Sequence, residues 1–143
     1  MKNNINLSIV VPIKDCESSL RHFLKSFPDG TNLELLLIYF QSKDKTLEVA
    51  KFYSSNNKNI SLKECFEKGI YTAMNLGIDI CTGQYLLFIG ADDVIDFEKL
   101  EEMSENFLSK KIFDILITPL NILHKNHVKK LMPKLDGKPY MFH

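Results

Sequence analysis

Two adjacent carboxylates, Asp92 and Asp93, follow the apolar run Tyr85 to Ile89 and the small pair Gly90-Ala91. A carboxylate next to a buried strand is costly unless it is paired or binds a cation. Mg²⁺ and Mn²⁺ take oxygen ligands and commonly combine one or two protein carboxylates with phosphate oxygens of a ligand. The structural alternative is that one aspartate caps a helix starting near Phe97 while the other is solvated, since aspartate is common at helix starts. His124 and His127 sit at i, i+3 spacing with no acidic or cysteine ligand nearby in sequence, and read as surface residues. Glu67 is either a ligand contact or a solvated acid. Cys16, Cys65 and Cys81 are odd in number and lack CxxC spacing, the pattern of reduced thiols.

Such a pair works only where a scaffold holds it. At 143 residues the chain fits one domain, 1–143, with a core large enough to need no disulfide or metal staple. A hydrophobic share of 45% with 25% charged residues argues against both disorder and a membrane-embedded chain. Eighteen basic residues balance eighteen acidic ones, so no global field draws the chain to nucleic acid, and any anionic ligand must be held locally. Leu7 to Pro12, Leu33 to Phe40 and Tyr85 to Ile89 are short apolar runs of the kind buried on both faces of a parallel sheet. Ile60 to Leu62 and Ile112 to Ile117 are further, weaker strands, and the tail from Leu120 has hairpin-like periodicity. Helical spacing marks Leu20, Phe23, Leu24 and Phe27, then Lys45 to Ser54, then Ile70 to Cys81, then Leu100, Met103, Phe107 and Leu108. The alternation predicts an α/β fold, an open, mostly parallel sheet with helices on both faces and ligands beyond the carboxyl ends of the strands. The turns Lys14 to Glu17, Gln41 to Lys45 and Gly90 to Asp93 all fall at that rim.

Several segments resemble family 2 glycosyltransferases of the GT-A kind. SIVVPIKD is similar to the family's opening strand and VPxYN turn, and SKDKT, Ser42 to Thr46, to the end of its DDGSTDGT motif. GIYTAMNLGIDICTGQYLLFIGADD, Gly69 to Asp93, resembles GIYDAMNKGI, then AxGEY, then a strand leading into a DxD-type metal site. The resemblance implies a nucleotide-diphospho-sugar transferase-like fold in which Pro12, Asp15, Ser42, Asp44, Asn75 and Asp92 contact the donor. It also implies that Asp92 and Asp93 hold a divalent cation, Mn²⁺ or Mg²⁺, against the pyrophosphate. The reaction implied is inverting transfer of a sugar to a saccharide or lipid-linked acceptor in surface polysaccharide biosynthesis.

The departures matter equally. Gly90 stands at the first DxD position and offers no ligand; Tyr39-Phe40-Gln41 stands where relatives carry an aspartate that contacts base or ribose; Lys14 and Asp15 replace the Tyr-Asn of VPxYN, and Thr72 the aspartate of GIYDAMN. Tyr39 and Phe40 either stack on the base or end the strand as core, and Asn75 either faces the donor or satisfies neighbouring backbone. No catalytic base is assigned: in the family it comes from a later segment, and the chain is expected to be incomplete at its C-terminal end, with an exposed apolar edge that favours a homodimer. The competing reading is a non-catalytic nucleotide-sugar-binding or partner-binding remnant of such an enzyme. A receiver-like signalling domain is disfavoured, because its acidic pair belongs after the first strand, where Lys14-Asp15 stands. With no signal-peptide core or spanning apolar stretch, the expected place is the cytoplasm, including the inner face of the membrane.

Overall fold

Residues 5–106, 120–124 and 127–131 are described by a computed structural model. Four parallel strands, β1 (Leu7–Ile13), β2 (Leu33–Tyr39), β3 (Ile60–Glu64) and β4 (Tyr85–Phe88), form one sheet in the order β3-β2-β1-β4. They alternate with α1 (Glu17–Lys25), α2 (Thr46–Asn56), α3 (Ile70–Ile80) and α4 (Phe97–Asn106). The central strands β1 and β2 are paired along their full length from Leu7↔Leu33 to Ile13↔Tyr39, which is why both read as unbroken apolar runs. β3 extends two residues past its expected end, because Lys63 and Glu64 pair with Ile38 and Tyr39 through backbone while their side chains are exposed. The expected strand Ile112 to Ile117 and the helical positions Phe107 and Leu108 lie outside the described residues.

Strand order dictates where the helices go. From β1 to β3 the chain steps one way across the sheet, then returns past β2 and β1 to lay down β4. Since parallel crossovers are right-handed, α1 and α2 must lie on one face and α3 on the other. On the α3 face Val10, Leu36 and Ile38 pack with Ala73 and Cys65, flanked by Leu76, Ile80, Leu86 and Phe88. On the opposite face Ile9, Val11, Ile13, Leu35 and Leu37 are sealed from water together with Leu20, Leu24, Val49 and Ala50. Cutting a leucine or isoleucine at such a position back to alanine costs about 2–5 kcal/mol.

Two glycines set how closely the α3 crossover fits. A Cβ on Gly77 would lie 2.4 Å from Val10 Cγ1, so only glycine lets the middle of α3 approach β1. A Cβ on Gly83 would lie 2.7 Å from the Ser8 backbone nitrogen. At that same end of the sheet, Glu34 accepts hydrogen bonds from Ser8 Oγ, Thr82 N–H and Thr82 Oγ1, and Gly83 N–H donates to Ser8 Oγ at 2.8 Å. Four partners thus clamp the turn between α3 and β4 to the amino ends of β1 and β2, and pair the buried Ser8 hydroxyl in the way its position requires.

A separate unit contains an antiparallel hairpin of β5 (Leu120–His124) and β6 (His127–Leu131), in line with the periodicity of the tail. His124 and His127 are direct partners across it. Among the described residues no helix is long and apolar enough to cross a membrane.

Candidate functional site

The switch in chain direction falls between β1 and β4, and ligands of open parallel sheets bind at such a point, beyond the strand ends. Two clefts occupy this rim. One, of about 920 Å³, opens on the α1 side and is lined by Asp15, Glu17, Asp44, Asp92 and Asp93 together with Arg21, His22 and the first turn of α1. The other, of about 410 Å³, opens on the α3 side between Pro12, Ile13, Lys14, Ile38 and Phe40 of the sheet and Lys68, Gly69, Ile70 and Ala73 at the start of α3. Lys14 and Asp15 are consecutive yet line different clefts. Asp15 has φ +47, a left-handed conformation that aspartate tolerates better than most residues, and it turns the chain between them.

The acidic pair is pinned from both sides. Ala91 and Phe97 are buried, and the Phe97 ring meets those of Phe23 and Phe27 edge to face at 5.4 and 5.2 Å between centroids. Glu101, one turn further, accepts from Thr31 Oγ1 at 2.7 Å and Asn32 N–H at 3.2 Å, fastening α4 to the turn before β2. Between these anchors Asp93 N–H donates to the Gly90 carbonyl and Gly90 N–H to Asp93 Oδ2 at 2.7 Å, closing a tight turn. Asp92 is exposed, its carboxylate taking no hydrogen bond from the described residues, and folds toward Gly90, where an added Cβ would stand 2.5 Å from Asp92 Oδ1. The helix-capping role that could have explained the pair belongs to Asp96. Its Oδ1 accepts Lys99 N–H at 3.1 Å, and that bond, with the Lys99 ammonium beside it, holds its carboxyl below the ordinary range.

The other expected donor-binding residues divide into braces and walls. Asp15 N–H donates to Ser42 Oγ, Lys43 N–H donates to Asp15 Oδ1, and Ser42 Oγ donates to the Phe40 carbonyl. Asp44 Oδ2 accepts Glu17 N–H at 2.9 Å and Oδ1 accepts Thr46 N–H at 3.0 Å, so one carboxylate serves the opening turns of both α1 and α2, where helix dipoles favour negative charge. The Thr46 hydroxyl donates to Asp44 as well, and these bonds hold its carboxyl below the usual range. Thr46 Oγ1 also accepts Cys16 N–H, and burial pushes the Cys16 thiol above its ordinary range, with Asp44 and Asp15 adding to the effect. Asp15 and Asp44 still line the acidic cleft and Pro12 the basic one; Ser42 and Asn75 line neither, and Asn75 lies exposed on α3. Sequence reasoning passed over Lys68 and the wall formed by Glu17, Arg21 and His22. Glu17 opens α1, Arg21 and His22 follow one turn later, and Lys68 stands two residues before α3, so their only signal is their place after a parallel strand.

The sequence model of Glycosyl transferase family 2 matches residues 8–139. The chain belongs to this family. As a family 2 member it is 33% identical over 98 residues to the uncharacterized glycosyltransferase YibD of Escherichia coli K12, a match covering 66% of this chain and 28% of that one. It is 36% identical over 89 residues to a PGL/p-HBAD biosynthesis glycosyltransferase of Mycobacterium bovis, covering 60% and 35% of the two chains. The matches thus span well under half the length of these relatives. Among solved structures, S. aureus TarS superimposes with a TM-score of 0.61 at 23% identity, over 70% of this chain and 19% of that one. A shorter form, TarS 1-349 in complex with UDP, gives 0.56 at 21% identity, over 70% and 31%. This likeness shows the GT-A-type fold. Within the family segment Gly69 to Asp93, Gly77 and Gly83 now have a physical reason: both are points of close approach to β1, not of chemistry.

Proposed function

We propose that this chain is the donor-binding part of an inverting, divalent-cation-dependent glycosyltransferase that moves a sugar from a nucleotide diphosphate to a saccharide or lipid-linked acceptor in surface polysaccharide assembly, on the cytoplasmic side. The observation that carries it is the acidic pair: Asp96 does the capping, leaving Asp92 and Asp93 exposed on a cleft at the β1/β4 switch point. Their oxygens suit Mn²⁺ or Mg²⁺, which need only one or two protein carboxylates when a diphosphate supplies the rest. No cluster of three or more ligand-type side chains exists among the described residues, so a cation here would depend on the nucleotide to complete its shell. When bound, it would act as a Lewis acid on the departing nucleotide diphosphate. The chain's own contribution is to hold the pair on a closed turn through Gly90 N–H, and to keep the β1 and β2 rims fixed through Asp15, Ser42 and Asp44. The UDP complex of TarS supports a nucleotide-diphosphate donor, and the mycobacterial relative, a PGL/p-HBAD biosynthesis glycosyltransferase, supports sugar transfer in a biosynthetic role. A homodimer belongs to the same proposal.

The test is thermal unfolding with UDP- and GDP-sugars, with and without Mn²⁺. Stabilisation that requires both sugar nucleotide and metal, and is abolished in Asp92→Ala, is expected. No shift with any nucleotide sugar in the presence of Mn²⁺ would remove the reading. Gly90 favours one alternative, a binding remnant without turnover, because it supplies no third ligand. Sugar transfer or donor hydrolysis by the purified chain, lost in Asp92→Ala, eliminates that alternative.

A further inference from the structure

Tyr39 and Phe40 are consecutive at the end of β2, yet only Phe40 walls the α3-side cleft. Tyr39 stands opposite Ile13 in the register and alternates onto the same sheet face as Val11 and Leu37, the face covered by α1 and α2. Its hydroxyl accepts the Ser42 N–H at 3.0 Å. The Ser42 hydroxyl is in turn used in both senses, donating to the Phe40 carbonyl at 3.1 Å and accepting the Asp15 N–H at 3.0 Å. Asp15 completes the series by accepting the Lys43 N–H at 2.6 Å. The series thus starts on a strand paired on both sides, by β1 and β3, and reaches the one non-glycine residue with a positive φ among those described. A left-handed conformation costs a residue with a side chain steric energy, and it persists where neighbours hold it.

We propose that Tyr39 is a positioning residue for the acidic cleft: its hydroxyl, through Ser42, holds Asp15 left-handed and so keeps that wall of the cleft in the shape that receives a cation-bound diphosphate. The inference rests on the functional reading above and adds to it a residue that acts at one remove, since Tyr39 lines neither cleft. Without the hydroxyl, the part-buried Ser42 N–H loses its acceptor, the turn after β2 loosens, and the Ser42 hydroxyl no longer meets the Asp15 N–H in a fixed place. Asp15 then relaxes toward negative φ, the peptide it shares with Lys14 rotates, and fewer molecules carry a preformed wall. Apparent affinity falls in proportion, because ligand binds the competent shape. The Tyr39 ring is thereby neither a stacking surface for a ligand nor plain core. Asp44 works differently, its carboxylate taking the Glu17 and Thr46 N–H groups at the helix starts directly.

The experiment has two arms. In the first, amide hydrogen exchange is followed by NMR on the unliganded chain as wild type, Tyr39→Phe, Ser42→Ala and the double variant. Exchange at Asp15 and Lys43 is expected to quicken roughly three- to tenfold in Tyr39→Phe, the weight of one neutral hydrogen bond, while Val11 and Leu37 in the strands keep their wild-type rates. The double variant should exchange at Asp15 like Ser42→Ala alone, because the relay passes through the Ser42 hydroxyl. In the second arm, titration with UDP and GDP in excess Mn²⁺ should show Tyr39→Phe binding more weakly by a similar factor, with no added loss in the double variant over Ser42→Ala. Unchanged exchange at Asp15 overturns the proposal. So does quickening spread equally over Val11 and Leu37, which would make Tyr39 a plain fold contact, and so does undiminished nucleotide affinity in Tyr39→Phe when wild type binds. Wild type that binds neither nucleotide overturns the functional reading instead, while the exchange arm still decides whether Tyr39 holds Asp15.

Discussion

The two clefts share one sheet rim and are separated by a single peptide bond between Lys14 and Asp15, yet they are opposites. The α1-side cleft is wide and carries five carboxylates; the α3-side cleft is less than half its volume, with two lysines, an aromatic ring and no acid. The contrast shows that opposite charge demands can be met by consecutive residues when a turn in the backbone sends them to different clefts. The left-handed turn at Asp15 separates the two walls, and the loop bracing by Asp44 and Ser42 maintains it.

The sharpest way to break the comparison is Gly77→Leu. Its first side-chain carbon alone would lie 2.4 Å from Val10 Cγ1, so α3 must move outward. Overpacking of this kind costs about 1–3 kcal/mol, read as a lower urea midpoint. The milder Gly77→Ala should lower the midpoint in the same direction, by less, because only one carbon then meets Val10. Next in size, Gly90→Asp sharpens the acidic side. The clashing atom is the mobile end of Asp92, which can swing aside, so a third carboxylate should tighten Mn²⁺ binding several-fold by calorimetry.

Much of the scaffold behind these predictions was legible in the residues. The buried strands announce themselves because a strand covered on both faces must be apolar at every position, and Ile9, Val10 and Val11 are all sealed. β3 ran longer than its side chains suggested, since backbone pairing with β2 extends past Leu62 into exposed Lys63 and Glu64. The acidic pair was legible as a strand-end dipeptide. The basic cleft was not, because Lys14 and Lys68 share it only once β1, β2 and β3 have paired side by side, which no local pattern encodes. The bracing roles of Asp15, Ser42 and Asp44 were hidden for the same reason: their partners lie on a neighbouring turn.

A smaller effect follows from Asp44. Its folded-state carboxyl is held low by Thr46 and Glu17, so its contribution to stability is fully present above the ordinary carboxylate range, near pH 4, and is lost as pH falls through the folded value. The gap in melting temperature between wild type and Asp44→Asn should therefore narrow on acidification below about pH 4. Smallest of all is the response of Cys16. Burial and the nearby Asp44 and Asp15 keep its thiol protonated, so alkylation measured by mass spectrometry should stay slow at neutral pH and rise only above the ordinary thiol range.

The knot of Glu34, Ser8, Thr82 and Gly83 sits at the pole of the sheet farthest from both clefts. The molecule therefore has a handle as well as a working end. A label or tether on the exposed Gln84 side chain, which takes no part in the knot, would sit far from ligand traffic at the other end of the strands and makes that turn the natural grip for single-molecule or surface-immobilised measurements.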